Sequence, residues 1–280
     1  MHIDGWRYYN HAAIPTTAPH EEPHMSALED GSIWKIDGGT PLLARWTTDF
    51  DCPRETNWWY VIKDTPFDIN ALKAKRRYEI NKGIKNFSVT QIEPSEYSEV
   101  LYEVQVAAYS AYPEKYRPTV DKEAFLASVE QWSDYYICLG AFNRETQQLC
   151  GYTLLIKDQD GCIGFDKLRA DPAWEKSGIN AALTDGVLTY CEPFLHDGWY
   201  VCDGARSINH ETAFQDYLEK YFGFRKAYCK LHITYNPKLK WAIRLLYPFR
   251  KLLLKLDVIG IVHQLNSVLR MEEMVRNNHE

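Results

Sequence analysis

Three apolar runs of strand length follow one another between residues 135 and 170, and they constrain the fold more than any other feature of this chain. They are Tyr135–Phe142, Leu149–Lys157 and Cys162–Ala170, separated by the turn-forming segments Asn143–Gln148 and Asp158-Gln159-Asp160-Gly161. Such runs joined by short polar turns read as antiparallel strands in a meander. The sheet they form must be covered, and the flanking sequence supplies helices for that purpose. Phe87-Ser88-Val89-Thr90-Gln91-Ile92 alternates as a strand. Ser95–Ala111 reads as a helix with Val100, Val104, Ala107 and Ala108 on one face, capped by Ser95 with Glu99 nearby. Asp121–Trp132 is a second, short helix. After a loop at Asp171–Ser177, a helix is expected from about Gly178 to Cys191, with Ile179, Leu183, Val187 and Tyr190 in one row. Trp199–Asp203 reads as a strand, Glu211–Phe222 as a helix and Ala227–Tyr235 as a long strand. The order β-α-α-β-β-β-α-β-α-β implies an α/β (α+β) fold. Its sheet is mixed and mostly antiparallel, because the helical crossover before Trp199 returns that strand parallel to its neighbour.

Three segments are expected: an N-terminal extension at 1–86, the sheet-forming domain at 87–236 and a basic helical tail at 237–280. In the extension, Pro15, Pro19, Pro23, Gly38, Gly39 and Pro41 favour loops, with short strands at Ile33–Ile36 and Trp58–Lys63. Ile69–Lys85 reads as a helix capped by Asp68, with Gly83 fraying its end.

Charge is uneven. The formal net charge of −6 argues against attraction of nucleic acid by the whole surface. Yet Lys73, Lys75, Arg76, Arg77, Lys82 and Lys85 cluster with one acid, Glu79, and nine bases fall between Arg225 and Lys255 with no acid among them. Within that second cluster, residues 238–256 alternate bases with Trp241, Ile243, Leu245, Leu246, Phe249 and Leu252–Leu254, and Pro248 divides them into two short helices. Two readings stand for this tail: packing over the acidic N-terminal region, or peripheral contact with an anionic membrane surface.

Several chemistries lack their marks. The seven cysteines are scattered without a CxxC pair, which disfavours zinc ribbons and redox motifs and suits small core residues in a reducing compartment. No HExxH or HxH spacing supports a metal enzyme, and no GxSxG supports a nucleophile elbow. The first residues, Met1 to Arg7, do not read as a signal peptide, and no run approaches the ~20 apolar residues of a membrane span. A cytoplasmic protein is the expectation.

The segment Leu168-Arg169-Ala170-Asp171-Pro172-Ala173-Trp174-Glu175-Lys176-Ser177-Gly178-Ile179-Asn180-Ala181-Ala182-Leu183, followed by Tyr217-Leu218-Glu219-Lys220-Tyr221-Phe222-Gly223-Phe224, resembles the GNAT acyltransferase superfamily and its Fem-type aminoacyltransferase relatives. The resemblance covers about Phe87 to Tyr235. It implies acetyl-coenzyme A as co-substrate, with the pyrophosphate at the helix start: Leu168, Arg169, Ala170, Lys176, Ser177, Gly178, Ile179 and Asn180, and Asn209 for the donor arm. A helix start supplies unpaired N–H groups and the positive dipole end that a diphosphate requires. It also implies Asp166 as general base; Asp203, ending the next strand before Gly204, is expected as a second carboxylate at the same sheet edge, and Tyr217, which flanks the position where the family has its tyrosine, as the general acid. Glu175 and Asn180 depart from the family pattern in the loop, and Glu219 departs from it where a tyrosine is usual. The reaction expected is acyl transfer to an amine or hydroxyl of a small molecule or envelope-glycan precursor. The alternatives are a Fem-type transferase using charged tRNA, with the Lys73–Lys85 bases and the basic tail tracking RNA phosphates, and a non-catalytic binding module on the same fold.

Overall fold

The computed structural model describes residues 1–114, 117–208, 213–256 and 260–277. In chain order its strands are β1 (Trp6–Tyr9), β2 (Ala12–Pro15), β3 (Leu43–Thr48), β4 (Trp58–Lys63), β5 (Phe87–Ile92), β6 (Tyr136–Asn143), β7 (Leu149–Gln159), β8 (Cys162–Ala170), β9 (Tyr200–Ala205) and β10 (Arg225–Tyr235). Its helices are α1 (Ser26–Glu29), α2 (Ala74–Asn86), α3 (Ser98–Ser110), α4 (Lys122–Val129), α5 (Trp132–Tyr135), α6 (Ile179–His196), α7 (Ala213–Phe222), α8 (Pro237–Leu246), α9 (Arg250–Leu253) and α10 (Gly260–Asn277). The chain divides into two compact units. One is Met1–Val61 with Ala205–Ala213 and Lys226–Glu280; the other is Ile62–Gly204 with Phe214–Arg225.

The second unit holds the meander. β5, β6, β7 and β8 pair antiparallel in sequence order, and β9 joins β8 in parallel. Alternation of side chains then decides what each face carries. Cys138, Tyr152 and Leu154 pack against Leu101 and Val104 of α3 and Trp132 of α5. Phe87, Ala141 and Cys150 pack against Ile179, Ala182 and Leu183 of α6. The fully buried Leu101, Leu154 and Ile179 each contribute on the order of 1.5–3 kcal/mol through burial. Two helix starts are fixed by side-chain caps: Asp121 accepts from the Ala124 amide at 2.7 Å, and Asp171 from the Ala173 amide at 2.9 Å.

In the first unit, β1 and β2 form an antiparallel pair, β2 runs parallel to β3, and β3 pairs antiparallel with β10. Trp6, Ala13, Ile33, Ile36 and Ala44 form one core cluster, and Leu43, Trp58, Cys229, Leu231 and Met271 another.

Some local expectations give way. Ile33–Ile36 is not a strand: Gly31 is left-handed at φ 75°, the Ser32 amide donates to the Asp30 carboxylate at 2.8 Å, and a 3-10 turn Ser32–Lys35 follows. Asp68 caps only a 3-10 turn, Ile69–Ala71, and the helix begins at Ala74. Ser95 donates to Glu93 and leaves the helix start uncapped, so α3 begins at Ser98 after a 3-10 turn opened by Pro94. α6 runs on through Pro193 to His196. All seven cysteines are free, and every one except Cys52 is buried.

Candidate active site

β8 and β9 are paired only through Cys162–Tyr200, Ile163–Val201 and Gly164–Cys202. Beyond those residues both strands continue, β8 to Ala170 and β9 to Ala205. A crevice at the carboxyl ends of two parallel strands, beside the helix that connects them, is where α/β folds place ligands. Two carboxylates stand at this point. Asp203 immediately follows the last paired residue of β9. Asp166 lies two residues past the last paired residue of β8 and is the extra residue of a β-bulge, since Leu154 pairs with Lys167 and Leu155 with Phe165. A bulge frees one residue from the alternation and re-aims its side chain.

The two acids have different surroundings. Burial pushes the Asp203 carboxyl up to about 7, against the opposing effect of a hydrogen bond with Gln215 of α7. Asp166 lies 3.8 Å from the ammonium of its neighbour Lys167. Of the pair, Asp203 has the environment of a group that exchanges protons near neutrality.

α7 covers this point with aromatic rings. Phe214 meets Phe165 of β8 edge-on at 5.8 Å and stacks on Tyr217 at 6.0 Å, and Tyr217 meets Tyr221 at 5.1 Å. Burial and the neighbouring Tyr221 and Glu79 push the Tyr217 hydroxyl above its ordinary value. Tyr217 therefore stays protonated throughout the neutral range. Asn209 lies outside the described residues.

The loop expected to hold a pyrophosphate is a 3-10 turn, Pro172–Ser177, ending in Gly178 at φ 88°. Trp174 anchors it, edge-on to Phe87 at 5.9 Å. Ser177 does not cap α6, whose start has no side-chain cap, and its carbonyl accepts from Asn86 Nδ2 at 2.9 Å. Gly178 serves a contact that sequence reasoning missed. A Cβ there would lie 2.9 Å from the Gly83 nitrogen and 3.0 Å from its Cα, so the backbone of α2 lies directly against the start of α6. Gly83, expected to fray a helix end, is instead buried in mid-contact. Lys176 is exposed, Asn180 is partly exposed and Ile179 is buried in the core.

Leu168 and Ala170 turn toward α6, among the residues packed on Ile179 and Leu183. Lys167 and Arg169 turn the other way. The Arg169 guanidinium lies 5.5 Å from the centre of the Tyr109 ring on α3, and the Lys167 ammonium lies 5.9 Å from Trp132 and 5.8 Å from Tyr136. The side chain of Arg169 thus stands on the face away from α6, because alternate strand residues point to opposite faces. Its Nη1 donates to the Leu168 carbonyl at 2.9 Å, while its buried Nε has no partner among the described residues.

A cleft of about 340 Å³ opens on the α6 side of the sheet, lined by Ile84, Phe87, Val89, Leu139, Asp185 and Tyr190 among others. Burial raises Asp185 to about 6. Nothing in the sequence distinguished this acid or Gln215, because both act through neighbours distant along the chain. Among the described residues no group of three or more His, Cys, Asp or Glu side chains is placed to hold a metal ion.

No protein-family model and no curated protein matches the sequence. Solved structures do match. L-PGS from Bacillus licheniformis is similar over 86% of this chain and 83% of its own, with a TM-score of 0.51 at 11% identity. The C-terminal domain of a protein from Agrobacterium fabrum assigned as a lysylphosphatidylglycerol synthetase is similar over 85% of this chain and 82% of its own, with a TM-score of 0.47 at 10% identity. PaiA N-acetyltransferase from Thermoplasma acidophilum, in complex with coenzyme A, is similar over 40% of this chain and 72% of its own, with a TM-score of 0.30 at 20% identity. At 11% identity the likeness to the first of these is one of fold. The chain shares the fold of the first of these, mixed α/β with a mostly antiparallel sheet.

Proposed function

We propose that this protein is a GNAT-like transferase that moves an acyl or aminoacyl group to an amine or hydroxyl, with Asp203 as the general base. One observation carries the reading: a half-buried carboxyl, raised to about 7, stands where the parallel strands β8 and β9 cease to pair. At neutral pH a large fraction of such a carboxyl is ionised, and it is basic enough to accept a proton from an attacking nucleophile. The acceptor nitrogen or oxygen would attack the donor carbonyl and pass its proton to Asp203. The donor's leaving group would depart with the bonding pair and then take up a proton. Tyr217 keeps its proton near neutrality and would serve as a hydrogen-bond donor to that leaving group. Asp166, re-aimed by the bulge, would orient the acceptor.

For the donor, the proposal is a coenzyme A thioester. Its pyrophosphate would lie at the start of α6, with the backbone of Leu168–Ala170 along its arm and Lys176 supplying charge. A small molecule or an envelope-glycan precursor would be the acceptor. A second reading, an aminoacyl group delivered by charged tRNA, is favoured by one specific contact. The backbone of α2 at Gly83 lies against Gly178 and brings a basic helix to the start of α6.

Calorimetry with acetyl-coenzyme A, followed by thiol release with amine acceptors, tests the reading. Binding with turnover is expected. Silence toward the coenzyme together with salt-sensitive binding of charged tRNA would transfer the reaction to the second donor. Binding of either donor without transfer to any acceptor would leave a binding module and overturn the enzymatic reading.

A further inference from the structure

We infer that residues 237–255 form a docking surface for an anionic lipid bilayer. Trp241, Leu245, Phe249 and Leu252 recur at spacings of four, four and three through α8, the 3-10 turn Tyr247–Phe249 and α9, which sets them along one side of the path. All four project into solvent: Trp241 is 74% exposed, Leu245 72%, Phe249 56% and Leu252 60%. The other side of α8 is anchored through Ile243, which is only 2% exposed. The turn is anchored as well. Arg250 pairs with Glu273 of α10 at 2.9 Å, and the guanidinium groups of Arg250 and Arg276 lie 4.4 and 3.9 Å from the centre of the Tyr247 ring. The apolar row is therefore held out by a fixed scaffold.

Bases accompany the row. Lys238, Lys240, Arg244, Lys251 and Lys255 have no carboxylate partner among the described residues, and no acid occurs between Arg225 and Lys255. A contiguous exposed apolar patch flanked by uncompensated positive charge matches the interface of an anionic bilayer, where rings and aliphatic chains enter below headgroups that meet the bases. A second copy of the same surface would oppose like charges. A nucleic acid would leave the aliphatic members of the row in water. No helix among the described residues is long and apolar enough to cross a membrane, so the contact is one of lying on the surface.

The test uses the full chain with vesicles of phosphatidylcholine alone and of phosphatidylcholine mixed with phosphatidylglycerol, read by co-sedimentation and tryptophan fluorescence. Binding to the mixed vesicles only, weakened by added salt, is expected. The double variant Trp241→Ala, Phe249→Ala and the charge variant Lys240→Glu, Arg244→Glu should each lower it by roughly tenfold or more. All the substituted side chains are exposed; because Phe249 also belongs to the turn, melting curves check each fold, and the charge variant decides if the apolar one is impaired. Absence of binding, equal binding to neutral vesicles, or unchanged binding by the folded charge variant would overturn the proposal. So would self-association or RNA binding lost in these variants while vesicles remain unbound.

Discussion

Gly83 of α2 and Gly178 at the start of α6 touch backbone to backbone: a Cβ on Gly178 would come within 2.9 Å of the Gly83 nitrogen, and one on Gly83 within 2.9 Å of the Ala182 nitrogen. Neither position has room for a side chain. Gly178 is further bound to glycine by its left-handed backbone at φ 88°. This contact brings a basic helix to the start of α6, where the proposal puts the donor's pyrophosphate.

Gly83→Ala should destabilise the protein even though alanine is the better helix former. The propensity gain is about 1 kcal/mol. Overpacking against a backbone that cannot yield costs about 1–3 kcal/mol. Urea unfolding is expected to show a net loss; a gain in midpoint would mean that the helices part without cost.

Asp203→Asn should lower turnover by roughly 10²-fold or more while donor affinity changes little. If the proposed activity holds, kcat/KM of the unaltered protein should rise with pH through about 7, as the Asp203 carboxyl loses its proton. Asp166→Asn should keep that limb in place. A limb that survives in Asp203→Asn and vanishes in Asp166→Asn would exchange the two roles.

Asp185 has a folded pKa of about 6, raised by burial from an ordinary 3.8. The folded protein therefore retains a proton that the unfolded chain releases between about pH 4 and 6. Stability contributed by this group is present at low pH and lost as pH rises through that window. Asp185→Asn removes the penalty. Urea unfolding at pH 8 should show a gain on the order of 1 kcal/mol, discounted for partial exposure, and none at pH 3. Equal changes at both pH values would trace the effect to packing.

The sequence determined the parts of this protein that depend on near neighbours. β5 and β8 have the expected bounds, and β6 and β7 differ by one or two residues at their ends, because alternation and turn chemistry act over a few residues. The parallel return of β9 followed from its crossover helix. Helix starts were less legible: Asp68 and Ser95 were good capping residues in isolation, yet Pro94 and the extended backbone at Leu72 placed the true starts further on.

Tertiary structure decided the rest. Only the pairing of β8 with β7 makes Asp166 a bulged residue, and only the approach of α7 gives Asp203 its Gln215 partner. Gly83 and Gly178 stand 95 positions apart, and no local pattern indicates that they meet. Amphipathic order in residues 238–256 could be read directly, but which side faces water depends on what the fold leaves uncovered. Hydrophobic period and turn propensity are short-range properties of a chain. Desolvation, register and close backbone contact arise only when distant segments pack, and the chemistry proposed at Asp203 rests on the first two.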